Sequence, residues 1–320
     1  MSKFIRGDEM NFDHLSSFLS EDGKFNTRSM TTINRNVFYL KAFNGRAFIL
    51  KRHNKKDRME QQWNFFEQIK SPDIISFEYF PNQKKFVYDG SHYWTISPYV
   101  KGRKLNYLVE KDRTESLKTL KIFHEQAKGI NILNPLKKDT FYLRWYKRLQ
   151  LFKETDHIFR EYHFDSLFED IVQTTETHLR FVSGFPWDRI ERQAKIDGKW
   201  IHGDVASHNF IRSQKGIYII DFDLLLCAPE LYDYIQLGQR FLPYINWDLN
   251  KLLSYNMVEE KYIKAWLLAI LIPSDVLREW IHFLYHTSGN SIHNYLTELE
   301  MDWMKRQSFL NSAKLMLKSM

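Results

Sequence analysis

The chain has 320 residues, enough for two domains or lobes, and its 43% hydrophobic and 27% charged composition is that of a folded protein. The net charge of +7 comes from 46 basic residues spread among 39 acidic ones, and the densest basic run, Lys51-Arg52-His53-Asn54-Lys55-Lys56, is short, so a nucleic-acid partner is not expected. A single cysteine, Cys227, excludes an intrachain disulfide and suits a reducing compartment.

In chain order, Met1 to Asp8 carry no apolar core and do not read as a secretory signal. The first hundred residues then read as mostly β. Val37 to Phe43 and Arg46 to Lys51 flank Asn44-Gly45, the pair preferred in type I′ turns because both positions need a positive φ. Such a turn opposes Phe43 to Arg46 and Phe38 to Lys51. A second hairpin is expected from Lys84–Tyr88 and Ser91–Ile96 around Asp89-Gly90. Further strands are expected at Ile74 to Tyr79 and near Phe25 to Thr31. Met59, Trp63, Phe66 and Ile69 recur at helical spacing and predict a helix over roughly Asp57 to Lys70.

Pro98 and Gly102 break this pattern, and the chain turns helical. Thr114 is placed to cap a helix reaching about Lys128. Helical patterns cover Phe141 to Tyr162, Ser166 to Val182 and Pro186 to Lys195. Trp200–His202, Phe210–Arg212 and Ile217–Ile220 read as short strands. Cys227 follows an apolar run, which predicts a buried, inert thiol. Leu231 to Met320 reads as helices punctuated by Pro243, Pro273 and Gly289. The longest apolar run, Ala265 to Ile272, is too short to cross a bilayer, so a cytoplasmic protein without a membrane partner is expected. The order is a β-rich lobe over 1–97, a hinge at 98–103 and a helical lobe over 104–320. This predicts an α+β, kinase-like fold.

Chemistry concentrates in Ile201-His202-Gly203-Asp204-Val205-Ala206-Ser207-His208-Asn209-Phe210, followed by Ile219-Ile220-Asp221-Phe222-Asp223. An Asp and an Asn five residues apart on a loop, then a strand ending in Asp, is the layout of a phosphoryl-transfer site. Four fixed residues of this kind arise by chance about once in 10^5 positions under equal usage. Asp204 is the candidate base for an acceptor hydroxyl. Asn209 and Asp221 are candidate magnesium ligands, since that ion takes oxygen donors and keeps several waters. Asp223 is either a further ligand or a loop-holding acceptor. His202 is read as ordering the loop, and Gly203 as permitting its turn.

The loop resembles the His-Gly-Asp-x-x-x-x-Asn motif of the aminoglycoside phosphotransferase and choline kinase superfamily. Asp221-Phe222-Asp223 and Tyr232-Asp233 are similar to that superfamily's metal motif and the Tyr-Asp pair behind it. The wording of the two segments is most similar to the spore-coat-associated, CotS-like branch. The resemblance implies a bilobal protein-kinase-like fold with an antiparallel β-lobe and a larger helical lobe. It implies an enzyme that uses ATP and magnesium to phosphorylate a hydroxyl of a small-molecule or sugar-like acceptor. The alternative it leaves open is a kinase-fold coat or nucleotide-binding protein, with spore-coat partners and little turnover. Lys51, ending Phe48-Ile49-Leu50-Lys51, is similar to the phosphate-gripping lysine of kinases, and Glu60 is its implied helix partner. Pro98, Tyr99 and Val100 fall where the family binds adenine through its main chain. One departure stands out. The expected phosphate loop, Asn26 to Arg35, has no glycine, and Ser29, Thr31 and Thr32 are its available hydroxyl donors. Glu230, Asp248, Trp247 and Trp266 supply acids and aromatics alike, so the acceptor is not readable. His282 and His286 lie one helical turn apart without a third ligand and are read as structural or surface residues.

Overall fold

The computed structural model describes residues 5–286 and 291–319, so the expected break at Gly289 lies outside the described residues. It opens on a helix that the sequence reading does not include, α1 (Ile5–Gly23). Then come β1 (Thr27–Asn34), β2 (Val37–Ala42), β3 (Ala47–His53), α2 (Lys56–Phe66), β4 (Val87–Tyr88) and β5 (Tyr93–Pro98). The strands form one antiparallel sheet in the order β1-β2-β3-β5-β4. Side chains alternate across it. Leu40, Phe48, Leu50, Trp94 and Ile96 enter a core with Phe25, Phe80 and Leu19 of α1, joined by Leu15 and Phe18. Alternation puts Lys51 and His53 on the opposite face of β3.

The first hairpin forms one step away from the expected register. Val37 pairs with Lys51 and Phe38 with Leu50. The Gly45 N–H donates to the Ala42 carbonyl (3.0 Å), and the Ala42 N–H to the Arg46 carbonyl (2.9 Å). Gly45 has φ +82° while Asn44 does not enter the left-handed region, so the turn runs Phe43-Asn44-Gly45 and ends in a glycine bulge. The expected phosphate loop is instead β1 itself. Ser29, Thr31 and Thr32 are strand residues, and the turn into β2 is Arg35-Asn36, also without glycine. Ile74 to Tyr79 makes no continuous strand. It contributes isolated bridges, Ile74 to Ile219 and Glu78 to Ile96, because its two ends meet different sheets. In the second hairpin the strands close at Tyr88 and Tyr93, and Asp89 Oδ1 caps the loop by accepting from the Ser91 and His92 N–H groups. The α2 helix ends at Phe66, short of Lys70, as Pro72 approaches.

The remaining elements are β6 (Arg103–Lys104), α3 (Glu110–Ala127), α4 (Phe141–Lys153), α5 (Asp156–Glu161), α6 (Asp165–Ser183), α7 (Trp187–Ile196), β7 (Trp200–Ile201), β8 (Phe210–Ser213), β9 (Gly216–Ile219) and β10 (Leu226–Cys227). After these come α8 (Leu231–Phe241), α9 (Leu249–Ser254), α10 (Glu260–Ile270), α11 (Ser274–His286) and α12 (Ile292–Ser319). The α3 helix starts at Glu110 rather than at Thr114. Asn106 Oδ1 accepts from the Leu108 N–H (3.0 Å), an Asx turn that leads into the helix, while Thr114 donates to the Glu110 carbonyl inside it. The 141–162 pattern is two helices. The break falls at Thr155, whose hydroxyl donates to the Phe152 carbonyl and accepts from Trp280 Nε1.

Contact density divides the chain into two compact units rather than cutting it once near Pro98. One comprises residues 1–105, 118–136 and 207–225; the other comprises 106–117, 137–206 and 226–320. The first therefore holds β6-β8-β9 as well as the large sheet, and the second holds the β10-β7 pair and most of the helices. No described helix is long and apolar enough to cross a membrane. Cys227 is buried on β10 opposite Trp200, and burial pushes its thiol up.

Gly102 marks a close approach in the first unit. A Cβ there would stand 2.3 Å from the Arg212 carbonyl oxygen of β8. Backbone cannot swing aside as a side chain does. Gly102→Ala is therefore expected to cost about 1–3 kcal/mol, read as a lowered denaturation midpoint.

Candidate active site

The sequence-predicted residues fall into two groups, one in each unit. In the first, β3 carries Lys51 and the β8–β9 hairpin carries the acids. Phe210 pairs with Ile219, and the Asn209 carbonyl accepts from the Ile220 N–H (3.0 Å), so Asn209 and Asp221 stand at the same end of that hairpin. The Lys51 ammonium donates to Asp221 Oδ1 (2.6 Å) and lies 2.7 Å from Asp223 Oδ1. Burial alone pushes this ammonium's pKa down; the charges and hydrogen bonds of both carboxylates outweigh it, and the pKa lies above the ordinary lysine value.

Phe222 fixes the two acids. It is buried against Phe66, Phe123 and Phe65, with ring centroids at 5.3, 5.8 and 6.2 Å. Asp221 adopts φ +64°, a conformation that costs a residue with a side chain about 1–2 kcal/mol. Just beyond, the buried Gln61 of α2 donates to the Leu225 carbonyl (2.9 Å) and accepts from the Leu136 N–H (2.7 Å). Glu60 is not the partner of Lys51. It is half exposed and pairs with Lys56 at 3.2 Å, because its helical phase turns it along the outside of α2. In the segment expected to meet adenine, Pro98 brings no N–H and that of Tyr99 donates to the Ala47 carbonyl (3.0 Å). Of the three residues, Val100 is the one whose main chain retains a donor.

In the second unit, Asp204 sits on a loop gripped by one face of α8. Asp233, 1% exposed, accepts from the His202 N–H (2.8 Å) and the Gly203 N–H (2.9 Å). Gln236 accepts from the Val205 N–H (2.5 Å) and donates to the Gly203 carbonyl (3.1 Å). Arg240 donates from Nη2 to Asp204 Oδ1 (2.6 Å). From the turn before α3, the buried Tyr107 hydroxyl donates to the Val205 carbonyl (2.8 Å). The Asp204 N–H donates to His202 Nδ1 (3.2 Å), so the imidazole orders the loop. Gly203 has φ +80°, which accounts for a glycine there.

A family model described as the phosphotransferase enzyme family matches residues 29–249, more than half of the chain. The chain belongs to the phosphotransferase enzyme family. A search of curated protein sequences matched none of them. Among solved structures, this family member is similar to an aminoglycoside phosphotransferase from Alicyclobacillus acidocaldarius, with a TM-score of 0.72 and 18% identity over 92% of this chain and 93% of that one. It is also similar to spectinomycin phosphotransferase APH(9)-Ia, solved with ADP and spectinomycin (TM-score 0.59, 14% identity, 89% and 93% covered). A third is a thermostable mutant of aminoglycoside phosphotransferase APH(4)-Ia in a ternary complex with AMP-PNP and hygromycin B (0.53, 13%, 95% and 98%). At these identities the likeness is one of fold: a kinase-like α+β architecture, with an N-terminal antiparallel sheet and helix and a larger helical part.

In this phosphotransferase family member sequence reasoning picked out Asp233 in a motif pair but missed its clamp role and its helix partners Gln236 and Arg240. The signal was present: Asp233, Gln236 and Arg240 recur at i, i+3 and i+7 within a helix whose other residues are mostly buried and apolar. The acids and aromatics weighed as acceptor groups have structural employment. Glu230 pairs with Lys199 (3.3 Å), Asp248 caps α9, Trp247 stacks under Arg306, and Trp266 donates to the Tyr234 carbonyl. His282 and His286 lie ring to ring at 4.2 Å, and no cluster of three or more His, Cys, Asp or Glu among the described residues could hold a metal ion. Asp221 and Asp223, with the amide of Asn209, offer hard oxygen donors only, and this set fits magnesium.

His53 was also missed. It is buried beside Lys51 on β3, with Nε2 2.8 Å from the Thr95 hydroxyl. Burial, then the Lys51 charge, push its imidazole from 6.5 down to about 4, against weaker opposition from Asp223 and Asp221. Between those values the unfolded chain binds a proton that the folded chain refuses, so stability falls as pH falls from 6.5 to 4. Across that range the loss is expected to be on the order of 3 kcal/mol. Denaturant melts at pH 7 and pH 4.5 should show a smaller acid loss in His53→Gln than in the wild type.

Proposed function

We propose that the chain is an ATP-dependent phosphotransferase that transfers the γ-phosphoryl group to a hydroxyl of a small-molecule or sugar-like acceptor. The observation that carries this reading is the Lys51 ammonium held at 2.6 and 2.7 Å by Asp221 and Asp223. A cation and paired acids on this family's scaffold are the parts that nucleotide phosphates and a metal require. Fold neighbours solved with ADP or AMP-PNP support ATP as the donor.

In this reading Lys51 grips the α- and β-phosphates. Val100, within the Pro98–Val100 segment, offers its main chain to the adenine. Asn209 and Asp221, with Asp223 as a further oxygen donor, would hold magnesium, which would supply charge neutralisation for the phosphates. Asp204 orients the acceptor hydroxyl and takes its proton as the new O–P bond forms and ADP leaves. Glu60 has no part in this set. Arg240 keeps the Asp204 carboxylate in place, and Asp233 and Gln236 keep its backbone in place.

The wording of the two motif segments supports a setting in the spore-coat-associated branch, with coat proteins as partners. A second reading, a kinase-fold coat or nucleotide-binding protein with little turnover, is favoured by the glycine-free Arg35-Asn36 turn, since backbone amides approach phosphate most closely where no Cβ intervenes. Thermal shift with ATP and magnesium, followed by turnover across a broad acceptor panel, separates the two. Lys51→Met is expected to weaken ATP binding about tenfold or more, the loss of one charge-assisted phosphate contact. Binding without turnover selects the nucleotide-binding form of the second reading, and absence of any ATP-dependent shift ends the first and leaves a structural coat protein.

A further inference from the structure

Arg144, Arg148, Arg278 and Arg240 form a chain of neighbouring cations in the second unit, and its Arg240 end meets the candidate base. Arg144 and Arg148 are one turn apart on α4, which packs against α11, the helix carrying Arg278. At the start of α11 the Ser274 hydroxyl donates to Gln239 of α8 (3.1 Å), and Arg278 lies one turn beyond Ser274 on the same face. Arg240 follows Gln239 and reaches Asp204 Oδ1 at 2.6 Å. Arg148 lies within electrostatic reach of both Arg144 and Arg278, and Arg240 within reach of Arg278.

The acids nearby do not balance these cations. Asp204 serves Arg240. Glu279 lies within electrostatic reach of Arg148 and Arg240 too, but it is bound to Arg278 (2.7 Å), where both side chains are exposed. Asp139 and Glu191 lie within reach of Arg144, but Asp139 is bound to Lys147 (2.6 Å) and Glu191 accepts from the Tyr232 hydroxyl (2.6 Å). The side chains of Arg144 and Arg148 have no hydrogen-bond or ion-pair partner among the described residues, and the Nε atoms of Arg144 and Arg240 are buried without an acceptor. Burial pulls the pKa of Arg144, Arg148 and Arg240 below the ordinary arginine value.

Half-buried guanidinium groups have given up water, and neighbouring like charges repel. Such a group is stabilised by an anion that the planar donors can fork around. A polycationic acceptor would meet repulsion from the same side chains.

We infer that the phosphoryl acceptor is itself an anion: a hydroxylated small molecule bearing a phosphate or carboxylate group, which docks on Arg144, Arg148 and Arg278 while its hydroxyl is presented to Asp204. This assignment rests on the phosphotransferase reading, but its test does not require turnover. Nucleotide-free protein is titrated calorimetrically with glycerol 3-phosphate and glycerate against glycerol, with glucose 6-phosphate and gluconate against glucose, and with kanamycin as a polycation. At least one anion is expected to bind about tenfold more tightly than its neutral parent. A response to the phosphate esters alone, or to the carboxylates alone, names the group recognised.

Arg148→Gln and the more exposed Arg278→Gln should each weaken that binding several-fold, Arg148→Lys should restore part of it, and Lys51→Met should leave it unchanged. Preference for kanamycin, no anion binding at millimolar concentration, or anion affinity untouched by both glutamine variants overturns the inference. So does loss of anion binding in Lys51→Met alone, which would place the anion at the nucleotide's position. Efficient transfer to a neutral or cationic acceptor would remove this inference and leave the proposed function standing. Arginine-dependent anion binding by a protein that never turns over ATP would keep the anion site and remove that function.

Discussion

Asp204→Asn protein should fold like the wild type and transfer phosphate ~10^2 to 10^4-fold more slowly, the contribution of a positioned base. The carboxylate is about a third exposed (32%), while the backbone around it is tied down by Asp233, Gln236 and Tyr107. Asparagine fills the same space on that fixed backbone and still offers Arg240 an oxygen. What disappears, on the proposed mechanism, is the group that takes the proton. The lost charge pair with Arg240, partly open to water, should cost about 1 kcal/mol or less. A large fall in kcat beside a small shift in melting temperature is therefore the expected signature. An unchanged kcat would remove Asp204 from the chemistry, and with it the proposed mechanism.

The second large effect is on stability. Asp233→Ala leaves the His202 N–H and the Gly203 N–H without their acceptor, at a place where Asp233 itself is 1% exposed. Each unsatisfied donor costs about 1–3 kcal/mol, so a total of ~2–6 kcal/mol is expected in urea melts. Asp233→Asn should fall between, since one amide oxygen can serve one donor while its NH2 faces the other. Activity should fall in both variants, because the loop that presents Asp204 loses its anchor. A loss under about 1 kcal/mol in the alanine variant would mean that water or a neighbour replaces the clamp.

Local signals in the sequence carried much of this. Helical spacing of Met59, Trp63 and Phe66 placed α2, and the short strands around the 202–209 loop formed where expected. Ambiguous local signals misled. Asn44-Gly45 suits a type I′ turn and equally a turn ending in a glycine bulge, and those two differ by one step of register. The same applies to Glu60, since its distance from Lys51 along the chain does not fix which way α2 is rotated. The α1 helix has its pattern in Leu15, Phe18 and Leu19, but within a polar stretch whose apolar residues are few.

Partnerships distant in sequence were not legible. Lys51 and Asp221 are 170 residues apart, and nothing local shows that they meet. The α8 stripe was hidden differently. Asp233 stood out only as half of a motif pair, and nothing local ties it, Gln236 and Arg240 to the loop they hold.

The lysine shared between Asp221 and Asp223 carries a thermodynamic consequence. Lys51 cannot serve a nucleotide phosphate at full strength while both carboxylates claim it, and those carboxylates cannot serve a divalent ion at full strength while they hold the lysine. On the phosphotransferase reading each ligand therefore relieves the other's competitor. The two should bind with positive cooperativity, each sharpening the other's titration by the same factor.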